Sequence, residues 1–113
     1  MSQDAYIILR RRADFLAANG GARRAMPGFV LLVRRRDDGD PAIRLGITVT
    51  KKIGNAVVRN RMKRRFRALG RELLPAHGIA GADHILIGRA GGIERDYALL
   101  QDELGKALRK LAA

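Results

Sequence analysis

The chain contains no cysteine and no tryptophan, and aromatic residues make up only 4% of its 113 residues. Without cysteine there are no disulfides, no thiol nucleophile and no thiolate metal ligand, a composition compatible with a reducing cytoplasm. The first residues lack the apolar run of a secretory signal. No window approaches the roughly 18 apolar residues of a membrane span. We therefore expect a cytoplasmic protein with no membrane partner.

Acidic residues are also scarce, and the resulting positive charge is concentrated in one segment. The chain has 23 Lys and Arg against 11 Asp and Glu, for a net charge of +12. Residues 51–67, KKIGNAVVRNRMKRRFR, hold eight of the basic residues and no acid, so the other 96 residues are much closer to neutral. A local field of one sign predicts a polyanionic partner.

The pattern of apolar residues predicts a single α+β domain over residues 1–113, with helices packed on a small sheet. Residues 42–50 alternate, with Ile47 and Val49 on one face and Thr48 and Thr50 on the other, as in a half-buried strand. The turn at residues 37–41 suggests a hairpin with the preceding strand. The predicted elements are a helix at 11–19, strands at 28–35 and 42–50, a basic helix from Asn55 to Leu74 that stops before Pro75, a strand at 84–89 and a helix at 94–111.

The basic segment forms an amphipathic helix when its residues are placed about 100° apart. Its apolar stripe, predicted to pack on the sheet, is Val58, Met62, Phe66, Leu69 and Leu73. Arg59, Lys63 and Arg67 form a row beside this stripe, Arg61 and Arg65 flank its other side, and Asn60, Arg64 and Arg71 lie opposite. Like charges four residues apart repel by a few tenths of a kcal/mol. Local helix stability therefore does not explain the pattern, whereas neutralisation by phosphates does.

Three other interpretations of the basic helix are weaker. A merely solvated face would be expected to mix both signs of charge. A membrane-surface helix needs an apolar face to spare, and here that face is required by the core. A DNA-binding helix would be expected to come with a dimer element for two half-sites.

The segment 51–67 closely resembles the signature of the bacterial ribonuclease P protein components, whose "RNR" motif corresponds to Arg59-Asn60-Arg61. Four further segments resemble the same family: LRRRADF at 9–15, FVLL at 29–32, RLGITVT at 44–50 and DHILIGR at 83–89. The resemblance covers about residues 9–110. A non-catalytic RNA-binding module, such as a ribosomal protein of similar fold, remains the alternative.

The resemblance implies the protein subunit of a ribonucleoprotein endonuclease that removes the 5′ leader from precursor tRNA. The RNA subunit would hold the Mg²⁺ ions and perform the hydrolysis, so the protein itself would carry no cofactor and no catalytic residue. Its partners would be ribonuclease P RNA and the precursor tRNA leader, not DNA. The implied fold is that of the second domain of ribosomal protein S5. Its strand–basic helix–strand crossover is left-handed, against the general rule.

Two groups of site residues follow from the resemblance by position. The residues implied to contact the RNA subunit are Arg59, Asn60, Arg61, Lys63, Arg64 and Arg67. Those implied to line or border the leader cleft are Phe15, Thr48, Thr50, Lys51 and Lys52. Alternation along the strand places Thr48, Thr50 and Lys52 on one face.

The proposed leader cleft departs from the family pattern in its aromatic residues. Phe15 is expected either to stack on a leader base or to anchor the first helix in the core. Asn19 and Leu32 stand where many members have aromatics. Stacking on the leader is therefore expected to be weaker here, or to be replaced by hydrogen bonds.

No arrangement of side chains predicts a protein active site. Asp37, Asp38 and Asp40 cluster only in a turn, where solvation is a simpler explanation than cation binding. His77 and His84 have no carboxylate or serine at a catalytic spacing. No Gly-rich phosphate loop of the nucleotide-binding type is present.

Overall fold

The computed structural model describes residues 6–113. The first five residues, to which part of the expectation of no secretory signal applies, lie outside the described residues. Short 3-10 turns, Lys51–Ile53 and Ala90–Gly92, precede the last two long helices. No helix within residues 6–113 is long and apolar enough to span a bilayer. In chain order the elements are β1 (Tyr6–Ile8), α1 (Arg12–Ala18), β2 (Ala22–Ala25), β3 (Phe29–Arg35), β4 (Ile43–Thr48), α2 (Ala56–His77), β5 (Ala82–Gly88) and α3 (Tyr97–Ala112).

The strands form one mixed five-stranded sheet in the order β1-β4-β5-β3-β2. β5 pairs in parallel with β4 and antiparallel with β3, and α2 makes the connection from β4 to β5. A central strand of this kind is covered on both faces, which explains the continuous apolar run at Ile85, Leu86 and Ile87. The predicted α+β class is confirmed. The left hand of the β4–α2–β5 crossover stays a prediction.

The predicted hairpin between β3 and β4 is wrong. β5 lies between these two strands and pairs with both of them. The turn at residues 37–41 therefore links two strands that are not neighbours. A hairpin would have left one side of the apolar β5 unpaired, at the edge of the sheet, where an exposed apolar strand is unfavourable.

The hydrophobic core lies on both faces of the sheet. The larger cluster includes Phe66, Leu69 and Leu104, which place α2 and α3 over one face. The smaller cluster includes Ala18, Leu32 and Ile85, with Phe15 packed against it, and it places α1 over the other face. The predicted apolar stripe of α2 is confirmed. Met62, Phe66 and Leu69 are buried, while Val58 and Leu73 are partly buried.

The predicted start of α2 is confirmed and its predicted end is wrong. Asn55 caps the helix, since its side-chain oxygen accepts a hydrogen bond from the Val58 N–H at 3.0 Å. The predicted stop before Pro75 is wrong, because the helix continues to His77. Pro75 removes one hydrogen bond in the last turn, where the Gly78 N–H still closes the helix on the Leu74 carbonyl oxygen at 2.9 Å. The buried side chain of Leu74 holds this turn on the core.

A buried charged network joins β4, β5 and the residue after β3 to α1. Asp83 on β5 is fully buried and accepts hydrogen bonds from Arg36 (3.0 Å) and Arg44 (2.6 and 2.9 Å). Arg44 also reaches Asp14 of α1 at 3.4 Å. Burial acts to raise the pKa of Asp83, but the hydrogen bonds from Arg44 and Arg36 outweigh it, and the pKa is lowered. The network thus holds Asp83 as a carboxylate and fastens α1 to the sheet.

His84 is a structural histidine. Its Nε2 accepts a hydrogen bond from the Ile79 N–H at 3.0 Å, and its Nδ1 lies 3.1 Å from the Arg44 carbonyl oxygen. These partners define the neutral ring with its proton on Nδ1, because one nitrogen must accept while the other donates. Burial lowers the pKa of His84. The ring therefore links β5 to the loop before it and to β4.

Candidate RNA-binding site

Part of the predicted leader site comes together in a groove between α1 and α2. Its main part has a volume of about 460 Å³. A smaller part of about 210 Å³ shares Arg10, Ile47 and Lys63 with it and extends to Arg67. We call these two parts the α1–α2 groove. The main part is lined by Arg10, Arg12, Phe15, Leu16, Ile47, Thr48, Val49 and Lys63, three of them basic and none acidic.

Phe15 anchors α1 in the core, as one of the two sequence interpretations has it, while stacking on a leader base stays a prediction. The ring is half-buried against the smaller core cluster and also lines the α1–α2 groove. It lies directly on the backbone of β4, where Gly46 has no side chain to displace it. Phe15 therefore anchors α1 while keeping part of its ring at the surface of the groove.

The leader-site residues after the end of β4 are placed differently from the prediction. β4 ends at Thr48, and Lys51 and Lys52 lie in the 3-10 turn that leads into α2. The prediction that Lys52 continues the strand face of Thr48 is therefore wrong, since the chain has left the sheet. Thr50, Lys51 and Lys52 are exposed on the segment between β4 and α2.

The predicted RNA-subunit residues fall on two sides of α2. Asn60, Arg61 and Arg64 are exposed, and with Val57 they form the surface that we call the outer face of α2. Arg59, Lys63 and Arg67 form an inner row next to the α1–α2 groove, which Lys63 lines in both parts and Arg67 in the smaller part. The two predicted sites are therefore contiguous, with the inner row between them.

Arg59 and Arg61 differ in their surroundings. The Nε of Arg59 is buried and has no hydrogen-bond partner among residues 6–113. Arg61 lies 3.6 Å from the Glu94 carboxylate, with both side chains largely exposed. A pair this exposed contributes little, so it does not prevent Arg61 from binding another anion.

Arg65 has a structural role that the sequence pattern did not reveal. Its guanidinium donates hydrogen bonds to the carbonyl oxygens of Gly92 (3.1 Å), Ile93 (3.3 Å) and Arg95. It thereby ties α2 to the segment before α3. The one available signal was its position at the edge of the apolar stripe, which directs a long side chain back toward the protein.

Two of the three carboxylates in the acidic turn, those of Asp38 and Asp40, are engaged in local structure. Asp38 accepts hydrogen bonds from the Asp40 N–H and from Arg36, each at 3.0 Å, and the pKa of Asp38 is lowered first by that backbone bond. Asp40 accepts from the Ala42 N–H at 2.9 Å. Within the part of the chain that the structure describes, no three His, Asp or Glu residues converge as a metal site. The turn is therefore best explained by its own hydrogen bonds.

A mixed sheet with a strongly basic helix beside an open groove defines a small protein built to hold a polyanion. The family model described as Ribonuclease P matches residues 5–112. The ribonuclease P protein component of Erythrobacter litoralis is 65% identical over 103 residues, covering 91% of this chain and 84% of that protein. The Caulobacter vibrioides protein of the same name is 44% identical and covers 93% of this chain and 70% of its own length.

Solved structures agree with these sequence relatives. The ribonuclease P protein of Staphylococcus aureus matches with a TM-score of 0.76 at 31% identity, covering 94% of this chain and 97% of the other. That of Thermotoga maritima matches with a TM-score of 0.74 at 31% identity, covering 92% and 94%. The chain belongs to the ribonuclease P protein family, whose members are the protein subunits of ribonuclease P.

Proposed function

We propose that this protein binds the 5′ leader of precursor tRNA in the α1–α2 groove while the outer face of α2 docks on ribonuclease P RNA. The two events take place together in the cytoplasm, on one ribonucleoprotein. The observation that carries the proposal is that the two surfaces adjoin each other. The inner row of α2 borders the α1–α2 groove on one side and the outer face of α2 on the other.

The chemistry of the groove suits a single strand of RNA. Phe15, Leu16 and Ile47 offer apolar surface for a base, and Arg10, Arg12 and Lys63 supply positive charge for the phosphates. Single-strand sites combine these two features, and stacking on an aromatic ring contributes about 1–3 kcal/mol per base. Thr48 adds a hydroxyl that can donate or accept a hydrogen bond. The groove therefore favours precursor tRNA over mature tRNA, which has no leader.

The outer face of α2 suits a folded RNA. The guanidinium groups of Arg61 and Arg64 can each hold a phosphate through two parallel hydrogen bonds. Asn60 directly precedes Arg61 in the helix and can offer its amide to a base edge or a 2′-hydroxyl. Thr50, Lys51 and Lys52 lie on the exposed segment before this helix and extend the positive surface toward the leader.

We assign the hydrolysis to Mg²⁺ held by the RNA subunit. The two most buried carboxylates among the described residues are engaged in the structure of the chain itself. Asp83 is held by Arg36 and Arg44, and Glu103 is held by Arg95 at 2.9 and 3.1 Å. The protein then contributes binding and orientation, and the metal supplies the activation of water and the stabilisation of charge.

A processing assay tests the proposal. The protein, a bacterial ribonuclease P RNA and a precursor tRNA are combined at low Mg²⁺, with each component omitted in turn. Cleavage at the mature 5′ end that requires both subunits is the expected result. Tight RNA binding without cleavage would contradict it and would favour the ribosomal type of RNA-binding module. Binding should also be stronger for precursor than for mature tRNA, and Phe15→Leu should reduce this preference.

A further inference from the structure

An apolar side chain occupies the N-terminal end of the basic outer face of α2. Val57 has 76% of its surface exposed, against 41–53% for the other exposed large apolar residues, Ile7, Ile8, Leu16 and Leu99. Ile7 and Ile8 lie on β1 and Leu16 lines the α1–α2 groove. Val57 instead lies in the first turn of the helix that carries the RNR motif.

The fold itself gives no reason for a valine at this position. With residues about 100° apart, Val57 points roughly 140° away from the apolar stripe of α2, so it does not contribute to the core. Valine is also a poorer helix former than alanine. Neither packing nor helix propensity therefore explains this side chain.

The neighbours of Val57 identify what would cover it. Asn60, Arg61 and Arg64 follow at three, four and seven residues, and all three are exposed. On a helix these positions lie on the same side as Val57, within about 60° of it. The helix contributes two arginines and no acid to this side, and the one carboxylate near it, Glu94 at 3.6 Å from Arg61, forms only an exposed pair. The surface is therefore complementary to RNA phosphates and would repel a second copy of this strongly basic chain. Between phosphates, RNA presents ribose and base surfaces that are largely apolar.

We propose that Val57 is an apolar contact for ribonuclease P RNA, seated against a ribose or base beside the phosphates that Arg61 and Arg64 hold. The inference rests on the proposed docking of the outer face of α2. Burial of Val57 contributes affinity by removing apolar surface from water. That contribution releases no counterions, so it does not depend on salt in the way the arginine contacts do.

The test measures binding of the full-length protein to ribonuclease P RNA over a series of salt concentrations. For Val57→Ala we expect affinity to fall roughly tenfold, as the loss of two buried carbons implies, with an unchanged salt slope. Val57→Thr keeps the shape and should also bind more weakly, because its hydroxyl becomes buried. Neither variant should lower the melting temperature, because the side chain is exposed.

Two control variants make the result specific. Arg64→Ala should reduce the slope of log affinity against log salt by about 0.7–0.9, the signature of a lost phosphate contact. Leu99→Ala truncates an exposed aliphatic side chain on α3 and should change neither affinity nor slope.

Several outcomes would overturn the inference. Wild-type affinity in Val57→Ala would do so, as would a reduced salt slope in that variant. Loss of a self-associated state in sedimentation, with RNA affinity intact, would assign the surface to a second copy of the chain. If the wild-type protein did not bind ribonuclease P RNA, the proposed function would fail instead. If the wild type binds ribonuclease P RNA, Arg64→Ala binds it more weakly and Val57→Ala binds it as the wild type does, then this inference fails and the proposed function stands.

Discussion

Phe15 lies directly on Gly46. A Cβ atom at position 46 would be 2.7 Å from Cε1 of the Phe15 ring and 2.8 Å from Cδ1 of Ile85. Real Cβ atoms do not approach so closely. Since Ile85 is buried and Phe15 is only half-buried, the ring is the group that must move.

We expect Gly46→Ala to push the Phe15 ring into the α1–α2 groove and to cost about 1–3 kcal/mol of stability by overpacking. Affinity for precursor tRNA should fall, while affinity for mature tRNA in the holoenzyme should be unchanged. Thermal unfolding and paired binding titrations measure the two effects. Gly20→Ala is the control, since a Cβ there has only an ordinary 3.7 Å contact with the Ala17 carbonyl oxygen. Unchanged discrimination between the two tRNAs in a folded Gly46→Ala protein would contradict a role for Phe15.

Arg64 and Arg65 are adjacent in the chain and should behave oppositely. Arg65→Ala leaves three carbonyl oxygens near residues 92–95 without their donor, and we expect a loss of about 1–3 kcal/mol in unfolding free energy. Arg64→Ala should leave stability unchanged and weaken binding to ribonuclease P RNA. Denaturant unfolding and RNA titration of both variants check this. Equal stability of the two variants would show that Arg65 does not hold this segment.

His84 should make stability depend on pH below neutrality. Burial lowers its pKa from the ordinary 6.5, so the unfolded chain binds a proton at a higher pH than the folded protein does. The stabilising effect is complete above about pH 6.5 and is lost as the pH falls toward the folded-state pKa. The unfolding free energy should therefore decrease between about pH 7 and pH 5. His84→Gln should flatten this dependence, whereas His77→Gln, at an exposed position, should retain it. An unchanged pH profile in His84→Gln would assign the effect to other groups.

Phe66 tests the orientation of α2. It is fully buried and meets Phe29 edge-to-face, with the ring centroids 6.1 Å apart. We expect Phe66→Ala to lower the unfolding free energy by about 3–5 kcal/mol. A melting temperature near that of the wild type would mean that the basic and apolar faces of α2 are exchanged.

Salt dependence tests the electrostatic part of RNA docking. If about six basic side chains meet phosphates, affinity for ribonuclease P RNA should fall by roughly a thousandfold between 50 and 200 mM salt. Filter binding or fluorescence titration measures the slope. A flat response would be incompatible with docking through the RNR helix.

Local patterns predicted the elements that bury one clear face. The alternation in β4 and the apolar stripe of α2 have strong periods, and the structure confirms both. β1 has three residues and β2 has four, all exposed in β2, so neither carries a period that sequence can reveal. Their strand geometry comes from pairing with β4 and β3 at the edges of the sheet.

The buried network and the strand order could not be predicted from local patterns, because both depend on residues far apart in the chain. Asp83 would ordinarily be assigned to the surface, and its burial depends on Arg36 and Arg44, which are 47 and 39 residues away. β5 is also far in sequence from its partners β3 and β4. The local turn signal at residues 37–41 therefore led to the wrong hairpin between β3 and β4. Phe15 and Thr48 could be assigned to one site only through a family resemblance, because the groove that joins them forms in the tertiary structure.

Because β5 is the central strand, the sheet cannot be completed on the ribosome until β5 has been translated. β1 with β4 and β2 with β3 form only isolated two-stranded pairs until Ala82–Gly88 is available, and such pairs are marginal alone. The arginine-rich helix is translated before this strand, and the surface on which its apolar side must settle is not yet complete. A nascent chain truncated before Ala82 should therefore remain sensitive to protease. We therefore expect the protein to become competent to bind RNA only late in translation, once the domain is complete.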